Sequence, residues 1–229
     1  MNKNHIKHVF FDLDHTLWDF DRNSGLAFAK IFELNAIDIL YDDFLEVYSP
    51  INFQYWKWYR EERVTKTQLR YGRFKKTFDK MGVKVTDDII NKLSDDYIKY
   101  LPDHNFLFEG TIELLDYLKP KYKLHIITNG FEEVQNTKMN RSGLAPYFNT
   151  ITTSESAGVK KPHSKIFELA MQRAGAIVQN SIMIGDTYEA DIVGAQNIGM
   201  KAICFNYHKA QLPDSIDVIN RIVELRAYL

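Results

Sequence analysis

Ile6-Lys7-His8-Val9-Phe10-Phe11-Asp12-Leu13-Asp14-His15-Thr16 ends an apolar run on two aspartates one residue apart. Along a β-strand, residues i and i+2 point to the same side, so Asp12 and Asp14 are expected to face one site. Two carboxylates that close repel each other, and a divalent cation is the usual offset. The pair also supplies a nucleophile and a separate acid/base, the two groups covalent hydrolysis needs.

Working outward, short apolar runs recur at 9–11, 124–127, 151–153, 181–184 and 201–205. Each is bounded by polar residues or glycine, as buried parallel strands are. Helical patterns lie between the later runs, at 131–142, 164–174 and 189–198, and Gly143, Gly175 and Gly199 follow in C-cap positions. Strand-helix alternation predicts an α/β fold with a Rossmann-like parallel sheet. The stretch 17–104 breaks the rhythm with four amphipathic helical patterns, at 24–34, 41–62, 67–81 and 87–100. The expected organisation is an α/β core from 1–16 and 105–229, carrying an all-helical cap inserted at 17–104. The edges 17–23 and 101–110 read as linkers, and the cleft between such units is a common place for a small-molecule site.

Three further signals fall where this reading puts the carboxyl ends of strands, the ligand-binding side of open parallel sheets. Thr128-Asn129-Gly130 offers a hydroxyl, an amide and a tight backbone before a helix N-terminus, a set that holds phosphate oxygens or simply caps the helix. Lys160-Lys161-Pro162 places a lysine able to neutralise a carboxylate and a phosphoryl group; a solvated lysine pair is the plainer alternative. Gly185-Asp186-Thr187-Tyr188-Glu189-Ala190-Asp191 puts Asp186 at a strand tip and Asp191 in the following helix. Oxygen ligands from Asp12, Asp14 and Asp186 suit a hard cation, Mg²⁺ first, with Asp191 in a supporting role.

Bulk properties narrow the field. Lys+Arg 29 against Asp+Glu 30 leaves net charge −1, which disfavours a nucleic acid polymer as partner. One cysteine, Cys204, precludes an internal disulfide framework, and within Lys-Ala-Ile-Cys-Phe-Asn it reads as a small core hydrophobe. No apolar stretch approaches the roughly 20 residues that cross a bilayer, and the polar, basic stretch 1–8 lacks the pattern of a leader. These features read as a soluble cytoplasmic protein, monomer or small homo-oligomer, acting on a small molecule.

Together these residues resemble the haloacid dehalogenase superfamily of phosphohydrolases: Asp12-Leu-Asp14-His-Thr16, then Thr128, then Lys161-Pro162, then Gly185-Asp186 with Asp191. The resemblance implies a Mg²⁺-dependent phosphatase with a helical cap. Asp12 would be the nucleophile forming an aspartyl-phosphate. Asp14 would protonate the leaving group and activate water, its backbone carbonyl binding the metal. Thr128 and Lys161 would hold phosphoryl oxygens. Asp186 would complete the metal site, with Thr16 and Asp191 behind it. Asp14 favours a phosphatase over the dehalogenating members. The flanks, Asp14-His-Thr-Leu-Trp-Asp-Phe-Asp21, Gln135 and Gly158-Val-Lys-Lys-Pro162, look similar to the noncanonical pyrimidine 5′-nucleotidases, which implies a nucleoside monophosphate substrate.

Sugar-phosphate phosphatase and phosphomutase activities stay open within this chemistry. A phospho-accepting signalling module is the rival of another class, disfavoured because Asp14 hastens loss of the phosphoryl group. A catalytically dead interaction protein is disfavoured because every chemical position is filled. In the cap, Phe53-Gln-Tyr55-Trp56-Lys-Trp58-Tyr59 is expected to pack between helices or to stack on a base. The basic residues at 57–76 read mostly as a solvated face, with Arg70 or Arg73 able to steer an anion. His15, in the catalytic loop, is a candidate for touching substrate.

Overall fold

The computed structural model describes residues 5–229, so residues 1–4 of the stretch 1–8 considered for a leader lie outside the described residues. In chain order the chain forms β1 (His8–Phe11), α1 (Phe20–Leu34), α2 (Tyr41–Arg60), α3 (Lys66–Met81), α4 (Asp87–Tyr100) and α5 (Thr111–Leu118). Then follow β2 (Lys123–Thr128), α6 (Glu132–Arg141), β3 (Thr150–Thr153), α7 (Ser154–Ala157), α8 (Ser164–Ala174), β4 (Ser181–Gly185), α9 (Gly194–Gln196), β5 (Lys201–Phe205) and β6 (Asp217–Ile219). Two compact units result, Met1–Asp21 with Asn105–Leu229 and Arg22–His104.

The first unit is a six-stranded sheet of order β3-β2-β1-β4-β5-β6, every pair parallel. β1 lies between β2 and β4, with Phe11 in register with Ile126 and Ile184. The four β1 residues are buried, as expected for a central strand of Val and Phe. Phe10, Ile127, Phe167, Met183 and Cys204 share one core cluster, and Cys204 sits in β5 as the small hydrophobe expected. α8 ends where expected, on Gly175 at φ 63°, whose N–H bonds Gln172 and Met171 carbonyls.

Two expectations are corrected, and one strand has no counterpart among them. The helix expected at 189–198 opens as a π-helical turn, Tyr188–Val193. β6 has only three residues and no sequence pattern to betray it. The expected linkers are paired backbone: Asp19 N donates to Phe106 O (3.0 Å) and Phe108 N to Leu17 O (3.1 Å), with Trp18 fully buried. Pairing satisfies main-chain groups that a buried loop would strand, and the helical unit therefore starts at Arg22.

Within the helical unit, Thr65 and Gln68 form a capping box that starts α3. Its core is built around Phe28, whose ring centroid lies 5.1 Å from Phe44, 4.9 Å from Tyr48 and 4.7 Å from Tyr97. The dense aromatic segment packs in part: Tyr59 is buried and the Tyr55 ring lies against Gly72 of α3, while Phe53 stays 65% exposed. Nor is the basic face wholly solvated. Arg70 pairs with Asp95 at 2.6 Å. Arg73 is buried, its guanidinium 4.9 Å from the Tyr97 ring centroid and donating to Asn52 Oδ1 at 3.1 Å. Among the described residues no helix is long and apolar enough to cross a membrane.

Candidate active site

The carboxyl ends of β1, β2 and β4 adjoin, and each delivers one predicted residue. Asp12 follows Phe11, its N–H bonded to Ile184 O at 2.9 Å. Thr128 ends β2, and Asp186 follows Gly185 at the end of β4. Lys161 enters from the loop before α8. Its Nζ is 2.5 Å from Asp12 Oδ1, 2.6 Å from Asp191 Oδ1 and 2.7 Å from the Ile127 carbonyl oxygen. The ammonium donates hydrogen bonds to Asp12 and the Ile127 carbonyl and is ion-paired with Asp191. Burial alone would lower the lysine's pKa; attraction to Asp12 and Asp191 outweighs it and raises the pKa.

Asn129 holds Lys161 in place. Its Oδ1 accepts from Lys161 N (2.8 Å) and its Nδ2 donates to Lys161 O (3.0 Å). The side chain expected to grip phosphate is instead spent on the lysine's main chain, because an amide matches a peptide group at both ends. Thr128 Oγ1 accepts from Gly130 N (3.1 Å) and Gln135 Nε2 (2.7 Å), which leaves its hydroxyl hydrogen to donate.

Asp186 is held by hydroxyls: Thr16 Oγ1 donates to Oδ1 at 3.5 Å and Thr187 Oγ1 to Oδ2 at 3.4 Å. Asp191 accepts Thr187 N on Oδ2 at 3.0 Å and presents Oδ1 to Lys161. Desolvation raises the Asp12 pKa to about 7; Lys161 opposes this, and the Asp191 and Asp14 charges add to it. Desolvation, then Asp191 and Asp12, raises Asp186 well above the ordinary carboxylate range.

Asp14 is drawn elsewhere. Its Oδ1 lies 2.5 Å from Lys138 Nζ and its Oδ2 accepts Gln135 Nε2 at 2.9 Å. Lys138 is buried, 4.0 Å from the Trp18 ring centroid, and desolvation lowers its pKa against the pull of Asp14. Lys138 was not foreseen. The available signal was spacing: Gln135 and Lys138 are three apart on the face of α6 that buries Val134 and Met139.

His15 follows with a left-handed backbone, φ 61°. Its ring centroid lies 4.8 Å from Phe20 and 5.0 Å from His208, and its Nδ1 is buried without a hydrogen bond. Desolvation lowers its pKa to about 4, against an upward pull from Asp21.

Asp12, Asp186 and Asp191 each present an oxygen, all within 4.8 Å of one another. Asp14's carboxylate, expected beside them, is turned to Lys138. Four carboxylates, Asp12, Asp14, Asp186 and Asp191, face two ammonium groups, Lys138 and Lys161. With all four ionised the excess is two negative charges on hard oxygen donors, a state that a hard divalent cation would favour over the protonated one that burial favours at Asp12 and Asp186.

Fold and site together define an α/β enzyme whose chemistry sits at the carboxyl edge of a parallel sheet. The chain belongs to the haloacid dehalogenase-like hydrolase family, whose model matches residues 6–199. It is 33% identical over 209 residues to the pyrimidine 5′-nucleotidase YjjG of Escherichia coli (strain K12), covering 91% of this chain and 89% of that protein. It is 34% identical over 206 residues to the pyrimidine 5′-nucleotidase PynA of Streptococcus pneumoniae (strain ATCC BAA-255 / R6), covering 88% and 84%. Other relatives carry different names, glyceraldehyde 3-phosphate phosphatase among them. The crystal structure of the magnesium-bound HAD-hydrolase YfnB from Bacillus subtilis superposes with a TM-score of 0.90 at 27% identity, covering 98% of this chain and 99% of that one.

Proposed function

We propose that the protein is a Mg²⁺-dependent phosphomonoesterase working through an aspartyl-phosphate, with pyrimidine nucleoside 5′-monophosphates as its substrates. The observation that carries the mechanism is the division of partners: Asp12 is bound to Lys161, whereas Asp14 is bound to Lys138 and Gln135. Two neighbouring aspartates with separate partners suit separate tasks.

Asp12 Oδ attacks phosphorus, and the bond from phosphorus to the leaving oxygen breaks in line. Asp14 gives that oxygen its proton. Asp14 then takes a proton from water as the water oxygen attacks phosphorus, which breaks the bond to Asp12 and frees phosphate. Lys161 opposes the repulsion between Asp12 and a phosphate dianion, and the spare hydroxyl hydrogen of Thr128 meets a phosphoryl oxygen. Asp12, Asp186 and the Asp14 carbonyl would hold Mg²⁺, with Thr16 and Asp191 supporting, and the ion would neutralise phosphoryl charge as a Lewis acid.

Similarity to two pyrimidine 5′-nucleotidases over most of the chain supports the substrate. The test is phosphate release with Mg²⁺ from nucleoside monophosphates and sugar phosphates, with Asp12→Asn alongside. Nucleotide turnover that the variant abolishes supports both parts. Turnover of sugar phosphates alone keeps the mechanism and rejects the substrate. An active Asp12→Asn enzyme overturns the mechanism.

A further inference from the structure

We propose that His15 is a specificity-determining residue, whose imidazole stacks on the nucleobase of the substrate. This deepens the nucleotidase reading and rests on it.

His15 occupies a backbone conformation that costs most side chains free energy and glycine nothing. Histidine is among the few residues enriched there, and strain of this kind persists where the surroundings impose it. The reaction needs only the turn, which a glycine would make more cheaply; the imidazole is an addition to it.

The ring sits in a row. Phe20 lies 4.8 Å from His15, His15 5.0 Å from His208, and His208 4.9 Å from Tyr207, centroid to centroid. Both loops that carry the row are tied down. Asn206 closes the loop after β5 by bonding Ala210 through both ends of its amide, at 2.9 and 3.0 Å. On the other loop, Asp21 Oδ1 is 3.8 Å from His15 Nδ1. These rings meet at 39°, 55° and 60°, tilted or edge-on rather than face to face, and they hold a His15 side chain that keeps part of its surface exposed; an aromatic ring held this way can meet the π-face of a nucleobase.

The row lies beside the reacting groups. His15 follows Asp14, the proposed proton donor to the leaving oxygen, and His208 Nε2 is 4.0 Å from Asp186 Oδ2. The rings therefore adjoin the loop that carries Asp14 and, through His208, the Asp186 carboxylate. His15 Nδ1, buried and without a hydrogen bond, adds an unspent polar atom at that edge.

The experiment compares kcat/KM of the wild-type protein and His15→Gly, with Mg²⁺, on uridine 5′-monophosphate, ribose 5-phosphate and acetyl phosphate. The last two present a phosphoryl group without a base. His15→Asn, also tolerated at this φ and lacking the ring, is the second variant. Thermal unfolding of both variants reports the fold. The expected result is a loss of about tenfold on the nucleotide, the size of one stacked ring, with little change on the other two. Equal losses on all three substrates, or no loss, overturn the assignment. If the wild-type protein turns over ribose 5-phosphate and not the nucleotide, the nucleotidase reading fails and the assignment with it.

Discussion

Lys138 Nζ lies 2.5 Å from Asp14 Oδ1 and over the Trp18 ring, so a buried ammonium fixes the carboxylate proposed to move protons. Gln135 fixes the other oxygen and ties it to Thr128. Lys138→Met keeps the length and removes the charge. Removing one partner of a buried ion pair strands the other and costs about 3–5 kcal/mol where that charge is fully buried; the partial exposure of Asp14 lets water take over part of the lost contact and lessens the loss of stability. The expected outcome is a less stable but folded protein whose kcat falls about 10- to 100-fold, less than the roughly 100- to 10,000-fold that an acid–base group itself supplies, because Asp14 stays in place. Unchanged steady-state kcat would remove Lys138 from the machinery.

Gly185 ends β4 with no room beside it. A Cβ there would fall on the Asp191 carboxylate, which holds Lys161 and caps Thr187 N. Gly185→Ala must push Asp191 aside, and overpacking of this kind costs about 1–3 kcal/mol. Both the unfolding midpoint and kcat should drop, because Lys161 loses its ion pair with Asp191. A variant with wild-type kinetics would mean that Asp191 yields without disturbing Lys161.

Legibility in the sequence followed the range of the forces involved. β1, β2, β4 and β5 were readable because each is an apolar run closed by polar residues, and β3 because Ile151 and its β-branched threonines suit a strand. Asp12, Asp186 and Thr128 were readable because strand ends collect on one edge of a parallel sheet. Lys138 was not, since its partner Asp14 is 124 residues away and a lysine on a helix normally reads as solvated. Asn129 looked like a phosphate ligand because an isolated amide does not reveal that a peptide group will claim both its ends. The aromatic run at 53–59 drew attention by density, yet the helical unit's core took Phe44, Tyr48 and Phe74, which are spread over two helices.

A second titrating element lies in the sheet. His8 Nδ1 and His125 Nε2 share a hydrogen bond of 3.1 Å, and His125 Nδ1 meets Thr150 Oγ1 at 2.8 Å. Desolvation, then His8 and Lys123, lowers His125 from 6.5 to about 4; desolvation, then Lys123 and Lys7, lowers His8. The unfolded chain therefore binds more protons than the fold between these values. Stability is full above about pH 6.5 and falls as pH drops toward 4, by on the order of 2 kcal/mol for His125. His125→Gln keeps a hydrogen-bonding group and cannot titrate. Its unfolding midpoint should fall less between pH 7 and pH 4.5 than the wild-type midpoint does; parallel curves would refute the pair as the source.

The carboxylate cluster makes the opposite prediction, and it separates stability from activity. Asp12 is raised to about 7 and Asp186 well above its usual range, so the fold binds protons there that the unfolded chain has released. In a chelator, the contribution of these groups is full below about pH 4 and shrinks as pH rises through 7. A bound divalent cation removes that penalty. Its stabilising effect, about 2.7 kcal/mol at a hundredfold excess over Kd, should grow between pH 5 and pH 8. Asp12→Asn deletes one of the like charges. In chelator it should lose less stability than the wild-type protein as pH rises, while kcat falls by at least about 1,000-fold with the nucleophile gone. Thermal unfolding at both pH values, with EDTA and with Mg²⁺, reads this directly. A Mg²⁺ shift that is the same at pH 5 and pH 8 would show that the ion is not offsetting this cluster.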